Sequence, residues 1–157
     1  MQDMDMQDTD IRHAQVEDFD QWSELWRGYL AFYGEPEDTQ TSQITWQRFI
    51  DEQEPMHAFV AVRNGQVVGF AHLIGHRSTW SPKDRLYLND LFVAQAHRQN
   101  GVARQLLEHA RHFFDDAAVQ IQHAQVEAVE HAGRSPLQVH AHVAGVDLDA
   151  HALAGRA

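Results

Sequence analysis

There is no cysteine anywhere in this chain of 157 residues. That absence excludes a disulfide framework, a thiolate nucleophile and any zinc site built on sulfur. Basic residues are scarce beside acidic ones, 12 Lys and Arg against 23 Asp and Glu, for a formal net charge of −11. Binding nucleic acid through neutralised phosphates needs a basic footprint, so no nucleic-acid partner is expected. An acidic surface favours cationic partners such as amines, or simply keeps the protein dissolved. No apolar run approaches the ~20 residues of a membrane span. The opening stretch MQDMDMQDTD also lacks the basic-then-apolar order of a secretory signal. A cytoplasmic protein without membrane attachment is the expectation. Walker A and GxGxxG patterns are both missing, which leaves a nucleotide-hydrolysing loop and a Rossmann fingerprint unsupported.

What is present reads as one α/β (α+β) domain, large enough for a single core. Residues 1–9 are polar and acidic and are expected to be a disordered tail. A short strand is expected at Ile11–Ala14. Phe19, Trp22, Trp26 and Tyr29/Leu30 then recur at helical spacing, with Glu17 and Asp18 at the start and Gly34 and Pro36 past the end. A second helix is expected from Ser42, taken as its N-cap, through Ile44, Phe49 and Ile50, stopping before Pro55. The run AFVAVRNGQVVGFAHLI is two apolar β-type segments joined by Asn64-Gly65, a pair that supplies the positive φ angles of a two-residue hairpin.

Another strand, RLYLNDLFV, is expected at Arg85–Val93. Strict alternation puts Leu86, Leu88, Asp90 and Phe92 on one face and Tyr87, Asn89, Leu91 and Val93 on the other. A carboxylate in mid-strand needs a reason: a catalytic or binding role, or satisfaction by nearby backbone or by an Arg. The turn HRQNG follows, and then an amphipathic helix whose stripe is Val102, Ala103, Leu106, Leu107, Ala110, Phe113 and Phe114. The order strand, helix, helix, hairpin, strand, turn, helix implies a mostly antiparallel sheet flanked by helices.

The turn itself has the spacing Arg-x-x-Gly-x-Ala. Backbone N–H groups at such a turn, backed by a helix dipole, form a concave site for a diphosphate. Gly101 lets backbone approach an anion closely, and the small Ala103 leaves room beside it. On spacing alone, an ordinary surface turn fits equally well.

The longer stretch YLNDLFVAQAHRQNGVARQLLEHA resembles the central motif of the GCN5-related N-acetyltransferases, in which Arg/Gln-x-x-Gly-x-Gly/Ala binds the diphosphate of acetyl-CoA. IRHAQVEDFDQWSELWRGYLAFYG, the Asn64-Gly65 hairpin and HRSTW (His76–Trp80) extend the likeness over residues 10–115, and diamine acetyltransferases share the Tyr-Leu-x-Asp pattern. The resemblance implies the fold of that superfamily and acetyl-CoA as cosubstrate. Arg98, Gln99, Asn100, Gly101, Val102, Ala103 and Arg104 would cradle the diphosphate. Leu91, Phe92 and Val93 would pair with the pantetheine arm on a strand that splays from its neighbour. A backbone N–H near Val93 would hold the thioester oxygen. The acceptor would be a primary amine of a small cationic metabolite or a peptide. Asp90 would take its proton, Asn89 would help hold it, and Tyr33 and Tyr87 would line its cleft. Members are often dimers, which leaves a homodimer open.

The last third departs from that pattern. No Phe, Trp or Tyr follows Phe114, and the Tyr that protonates the departing thiolate in the family, set in Asn-x-x-Ala-x-x-x-Tyr, is missing. VQIQ (Val119–Gln122) and LQVHAHVA (Leu137–Ala144) alternate like strands but offer a thin core. Residues 116–157 are therefore an atypical Ala/His/Val-rich segment, either divergent or, the favoured explanation, out of frame relative to its relatives. The alternative function is a catalytically impaired CoA-binding or interaction protein. Twelve histidines raise a third option, a metal-binding protein. His140 and His142 would share a strand face, and His109 and His112 lie one helical turn apart, yet no set of three or four ligands at characteristic spacing is visible, and no metal is expected.

Overall fold

The computed structural model describes residues 8–80, 82–113 and 142–144. Its elements are β1 (Asp10–His13), α1 (Phe19–Phe32), α2 (Thr39–Ile50), β2 (Met56–Arg63), β3 (Gln66–His76), β4 (Arg85–Val93), α3 (Val102–Phe113) and β5 (His142–Ala144). The strands form one sheet in the order β1-β2-β3-β4-β5, antiparallel from β1 to β4 and parallel between β4 and β5. α1 and α2 cover one face over Trp22, Trp46, Phe70 and Phe92. α3 covers the other over Phe59, Leu73, Leu88, Leu91 and Leu106. The expected mixed α+β architecture is what the chain adopts. No described helix is long and apolar enough to cross a membrane.

Local chemistry explains the entries to these elements. Arg12 of β1 grips Asp18 with both terminal nitrogens, at 2.6 and 2.9 Å, and the Gln15 N–H donates to the same carboxylate at 2.7 Å. The guanidinium bonds hold the Asp18 carboxyl below the usual carboxylate range against the opposing effect of burial. Asn64 and Gly65 take φ values of 50 and 72, so the β2–β3 hairpin closes as its sequence demands. Thr9, assigned to the tail, accepts a bond from Arg63 Nε at 2.8 Å. Residues 1–7 of the tail, Phe114, the Val119–Gln122 strand, His140, and all but His142–Ala144 of the Leu137–Ala144 strand lie outside the described residues.

Two expectations need correction. α2 begins at Thr39, capped by Asp38, whose carboxylate accepts from the N–H of Gln40 (3.1 Å) and Thr41 (3.4 Å). Ser42 lies inside the helix, buried, with its hydroxyl accepting the Trp26 indole N–H at 3.1 Å. The second correction concerns β4. Its register with β3 slips between His72 and Leu73: His72 pairs with Asp90, but Leu73 pairs with Leu88, which leaves Asn89 as an extra residue. This bulge reverses the facing of the strand. Leu86 and Leu88 before it, and Leu91 and Val93 after it, all point towards α3, while Phe92 packs on the α1 side and Asp90 bonds to Tyr29 of α1. Strict alternation fails at one residue, and the result is that Asp90 leaves the α3 core.

Candidate active site

The Arg98–Ala103 turn joins β4 to α3 through two residues in the left-handed region. After β4 the chain makes a 3-10 turn at Gln95–His97, extends at Arg98 (ψ 159), and enters the left-handed region at Gln99 (φ 64) and Gly101 (φ 76). The first α3 bond runs from Gln105 N–H to Gly101 O at 3.0 Å. The N–H groups of Val102, Ala103 and Arg104 therefore precede the first intrahelical partner, at the positive end of the dipole. Val102 and Ala103 are buried against the sheet and fix this helix end in place. A small open cleft of about 50 Å³ is lined by Val93, His97, Arg98, Gln99, Gly101, Val102, Ala103 and Arg104. Asn100 stands exposed in the turn and outside that lining, whereas His97, which the motif did not single out, belongs to it.

The edge of β4 leads from this cleft. Ala94 N–H donates to Val68 O on β3 at 2.8 Å. Peptide groups alternate along a strand, so the N–H and C=O of Val93 face the opposite, outer edge. On that edge, among the described residues, β5 pairs Asp90, Leu91 and Phe92 with His142, Val143 and Ala144. Of the three residues expected to meet a pantetheine arm, Leu91 and Phe92 pair with β5, while Val93 has no pairing with β5 among the described residues. The side chain of Leu91 is fully buried on the α3 side, so only its backbone reaches the edge.

On the other face, the bulge delivers Asp90 into a buried chain of polar groups. Tyr29 Oη–H donates to Asp90 Oδ1 at 2.7 Å, and Asn89 Nδ2–H donates to Oδ2 at 3.0 Å. His72 Nδ1 lies 2.8 Å from Oδ2, and Trp22 Nε1–H points at His72 Nε2 at 3.0 Å. An indole N–H can only donate, so Nε2 is the acceptor and the imidazole proton sits on Nδ1. The His72–Asp90 contact is thus a hydrogen bond to a carboxylate from an imidazole whose tautomer Trp22 fixes, packed between the rings of Phe70 and Phe49. Asp90 is 5% exposed and Tyr29 3%. Burial by itself raises the Asp90 carboxyl; the donors His72, Asn89 and Tyr29 outweigh it and hold the group below the ordinary carboxylate range. Burial and the Asp90 charge push the Tyr29 hydroxyl far up and the half-buried Tyr33 up to about 12.

Tyr33 packs on Tyr29 at the end of α1, 5.1 Å between ring centres, and Tyr87 sits half-buried two residues before the bulge. Asp90, Asn89, Tyr33 and Tyr87 therefore gather on the α1 side. Sequence reasoning missed Trp22, Tyr29 and His72, which fell on apolar stripes and read as core. The available signal was a His in one apolar strand and an Asp in the next, two polar residues that the hairpin topology places opposite one another. Among the described residues no group of three or more His, Asp or Glu is arranged to hold a metal ion.

Comparison with known proteins places these features in context. The sequence model of the acetyltransferase (GNAT) family matches residues 19–135. A D-amino-acid N-acetyltransferase of Saccharomyces cerevisiae is 30% identical over 100 residues, which cover 62% of this chain and 62% of that protein. The chain thus spans less than two thirds of the yeast enzyme. The N-acetyltransferase YhfO of Bacillus subtilis is 30% identical over 103 residues, 66% of this chain and 68% of its own length. Among solved structures, a probable acetyltransferase superposes with a TM-score of 0.65 at 24% identity, covering 80% of this chain and 89% of that one. A ribosomal-protein-alanine N-acetyltransferase from Brucella melitensis gives 0.61 at 18% identity, over 72% and 77%.

Proposed function

The chain belongs to the acetyltransferase (GNAT) family, and from that premise we propose that it transfers an acetyl group from acetyl-CoA to the primary amine of a small cationic metabolite or a peptide. The observation that carries the reading is the cleft at the start of α3. Three helix N-terminal N–H groups and two left-handed residues, Gln99 and the side-chain-free Gly101, surround an open cleft, the arrangement that suits a phosphate group. In this reading Val102, Ala103 and Arg104 donate their N–H groups to the diphosphate, with Gln99 and Gly101 shaping the loop. Asn100 contributes through backbone alone. Acetyl-CoA supplies the acetyl group as a thioester. The outward N–H of Val93, which pairs with no described residue of β5, offers a donor to a carbonyl oxygen lying along that edge.

The acceptor side is read from the Asp90 cluster. An ammonium must lose its proton before its nitrogen can attack. A free lysine-like amine has a pKa of roughly 10.4, more than six units above a carboxylate held at or below its ordinary value, so proton transfer to Asp90 is about 9 kcal/mol uphill. We therefore assign Asp90 the part of a fixed anion rather than of the base. Its charge draws an amine to the rim formed by Tyr33 and Tyr87, Asn89 and Tyr29 hold it in place, and the amine reacts from its neutral fraction, whose proton has gone to bulk buffer at a cost of about 5 kcal/mol at pH 7. Nothing in this part of the site is specific for one amine.

A calorimetric titration with acetyl-CoA tests the reading, with Gly101→Glu as the control. Glutamate there forces a side chain onto a backbone at φ 76 and sets a negative charge against the anion. Micromolar binding that the variant loses supports the proposal, and thiol release over a panel of amines then identifies the acceptor. Binding without acceleration by any amine favours the second reading, a CoA-binding protein impaired in catalysis, which the absence of any Tyr after Tyr87 supports. No binding by the folded protein rejects both.

A further inference from the structure

Arg98 does more than face the cleft. Its Nε–H donates to the carbonyl of Val93 at 2.8 Å, and its guanidinium carbon stands 5.4 Å from the centre of the Phe92 ring. The peptide between Val93 and Ala94 is consequently held at both ends, its carbonyl by Arg98 and its N–H by Val68 O at 2.8 Å. The N–H of Val93 belongs to the preceding peptide and shares the outer edge with that carbonyl. Rocking of the clamped peptide about its Cα would swing it. A guanidinium carries five N–H groups in a rigid planar fork. One of them is used at Nε, and the other four are on the terminal nitrogens of a side chain that lines the cleft. A lysine, with one compact ammonium, cannot make both contacts in that geometry.

We infer that Arg98 is a positioning residue that couples the two ends of the donor cleft: the side chain that meets the diphosphate also braces the peptide beside the Val93 N–H. The inference rests on the reading of this cleft as the acetyl-CoA site. It separates cleanly from the plainer alternative, in which Arg98 is only a counter-charge. A counter-charge matters for donors that carry a diphosphate and is irrelevant to those that do not. A brace matters for both.

The test compares wild type with Arg98→Gln and Arg98→Lys by three measurements. The first is amide hydrogen exchange at Ala94, followed by NMR in the free protein. The second is calorimetric affinity for acetyl-CoA. The third is thiol release from acetyl-CoA and from S-acetylpantetheine, which keeps the thioester and the arm but lacks the diphosphate. Loss of one hydrogen bond predicts roughly a tenfold faster Ala94 exchange in both variants, with Phe59–Ala61 of β2 unchanged. It also predicts a kcat on S-acetylpantetheine lower by roughly 10- to 100-fold, the usual consequence of a misplaced donor. Lysine should restore part of the acetyl-CoA affinity but neither the exchange rate nor that kcat. Wild-type exchange at Ala94, an equal rise throughout β2, or a loss confined to acetyl-CoA would each overturn the inference. If wild type binds neither thioester, the reading of the cleft fails instead, and the exchange data still decide whether Arg98 braces the strand.

Discussion

Replacing Asp90 by Asn changes few atoms and asks whether the carboxylate is ionised inside the folded protein. The buried group accepts three hydrogen bonds, from Tyr29 at 2.7 Å, His72 at 2.8 Å and Asn89 at 3.0 Å. A bond to a charged group contributes about 1.5–3 kcal/mol and one between neutral groups about 0.5–1.5, so each conversion forfeits about 1 kcal/mol. Asn can keep its oxygen towards His72 and Asn89, but its NH2 then meets a Tyr29 hydroxyl that was donating, and that bond must reverse. Relief of the desolvation of the charge offsets part of the loss. The expected net effect is about 2–3 kcal/mol of destabilisation at pH 7, measured by urea unfolding. The pH dependence follows from the direction of the shift. Asp90 titrates lower in the folded chain than an aspartate in the unfolded one, so its stabilisation is complete above the unfolded value and is lost as pH falls through the folded one. Asn does not titrate. The gap between wild type and variant should therefore hold from pH 7 to 5 and shrink towards pH 3. An Asn variant as stable as wild type at pH 7, or a gap that widens in acid, would mean the native carboxyl is protonated. The fixed-anion role would fall with it.

Trp22→Phe keeps the ring and removes only the indole N–H that His72 Nε2 accepts, leaving a buried acceptor unmatched; thermal or urea unfolding should show about 1–2 kcal/mol of destabilisation. If Asp90 is an anchor and not the base, Asp90→Asn should lower kcat without adding or removing an inflection in the pH profile of kcat/KM, and loss of an acidic limb in the variant would return Asp90 to the role of base. Asp38→Ala should cost about 1 kcal/mol by removing the α2 cap, whereas Ser42→Ala should act through the Trp26 indole and alter Trp fluorescence. Translation of the coding sequence for residues 116–157 in the other two frames should yield an Asn-x-x-Ala-x-x-x-Tyr stretch, and its absence from both would dismiss the frame-shift explanation.

What could be read from the sequence was what is decided locally. Asn64-Gly65 sets its own turn, the α3 stripe sets its own face, and Arg98 to Ala103 form their loop through φ angles that neighbouring residues dictate. The choice of cap for α2 was not local. Asp38 and Ser42 are both capping types, and what removes Ser42 from the role is an indole on another helix that needs an acceptor. The facing of β4 was still less accessible. The run from Arg85 to Val93 reads as one strand, but which residue loops out depends on the register with β3, and that depends on Asp90 finding its partners on α1. Trp22, Tyr29 and His72 were hidden for the same reason: their apolar bodies satisfy the periodicity that identifies core, and the polar tips declare themselves only through distant partners.

The bulge at Asn89 also bears on how the chain avoids misassembly. Pairing β3 and β4 without the extra residue would keep every apolar side chain of the strand in some plausible pocket, so hydrophobicity alone discriminates weakly between the two alignments. Asp90 discriminates strongly. In the wrong alignment its carboxylate would turn to the α3 side, among Leu86, Leu88 and Leu106, stranded from Tyr29 and His72. An uncompensated buried charge costs several kcal/mol, comparable with the whole stability of a domain this size. The residue that anchors the polar cluster against α1 thus doubles as a proofreading device for the central strand pairing.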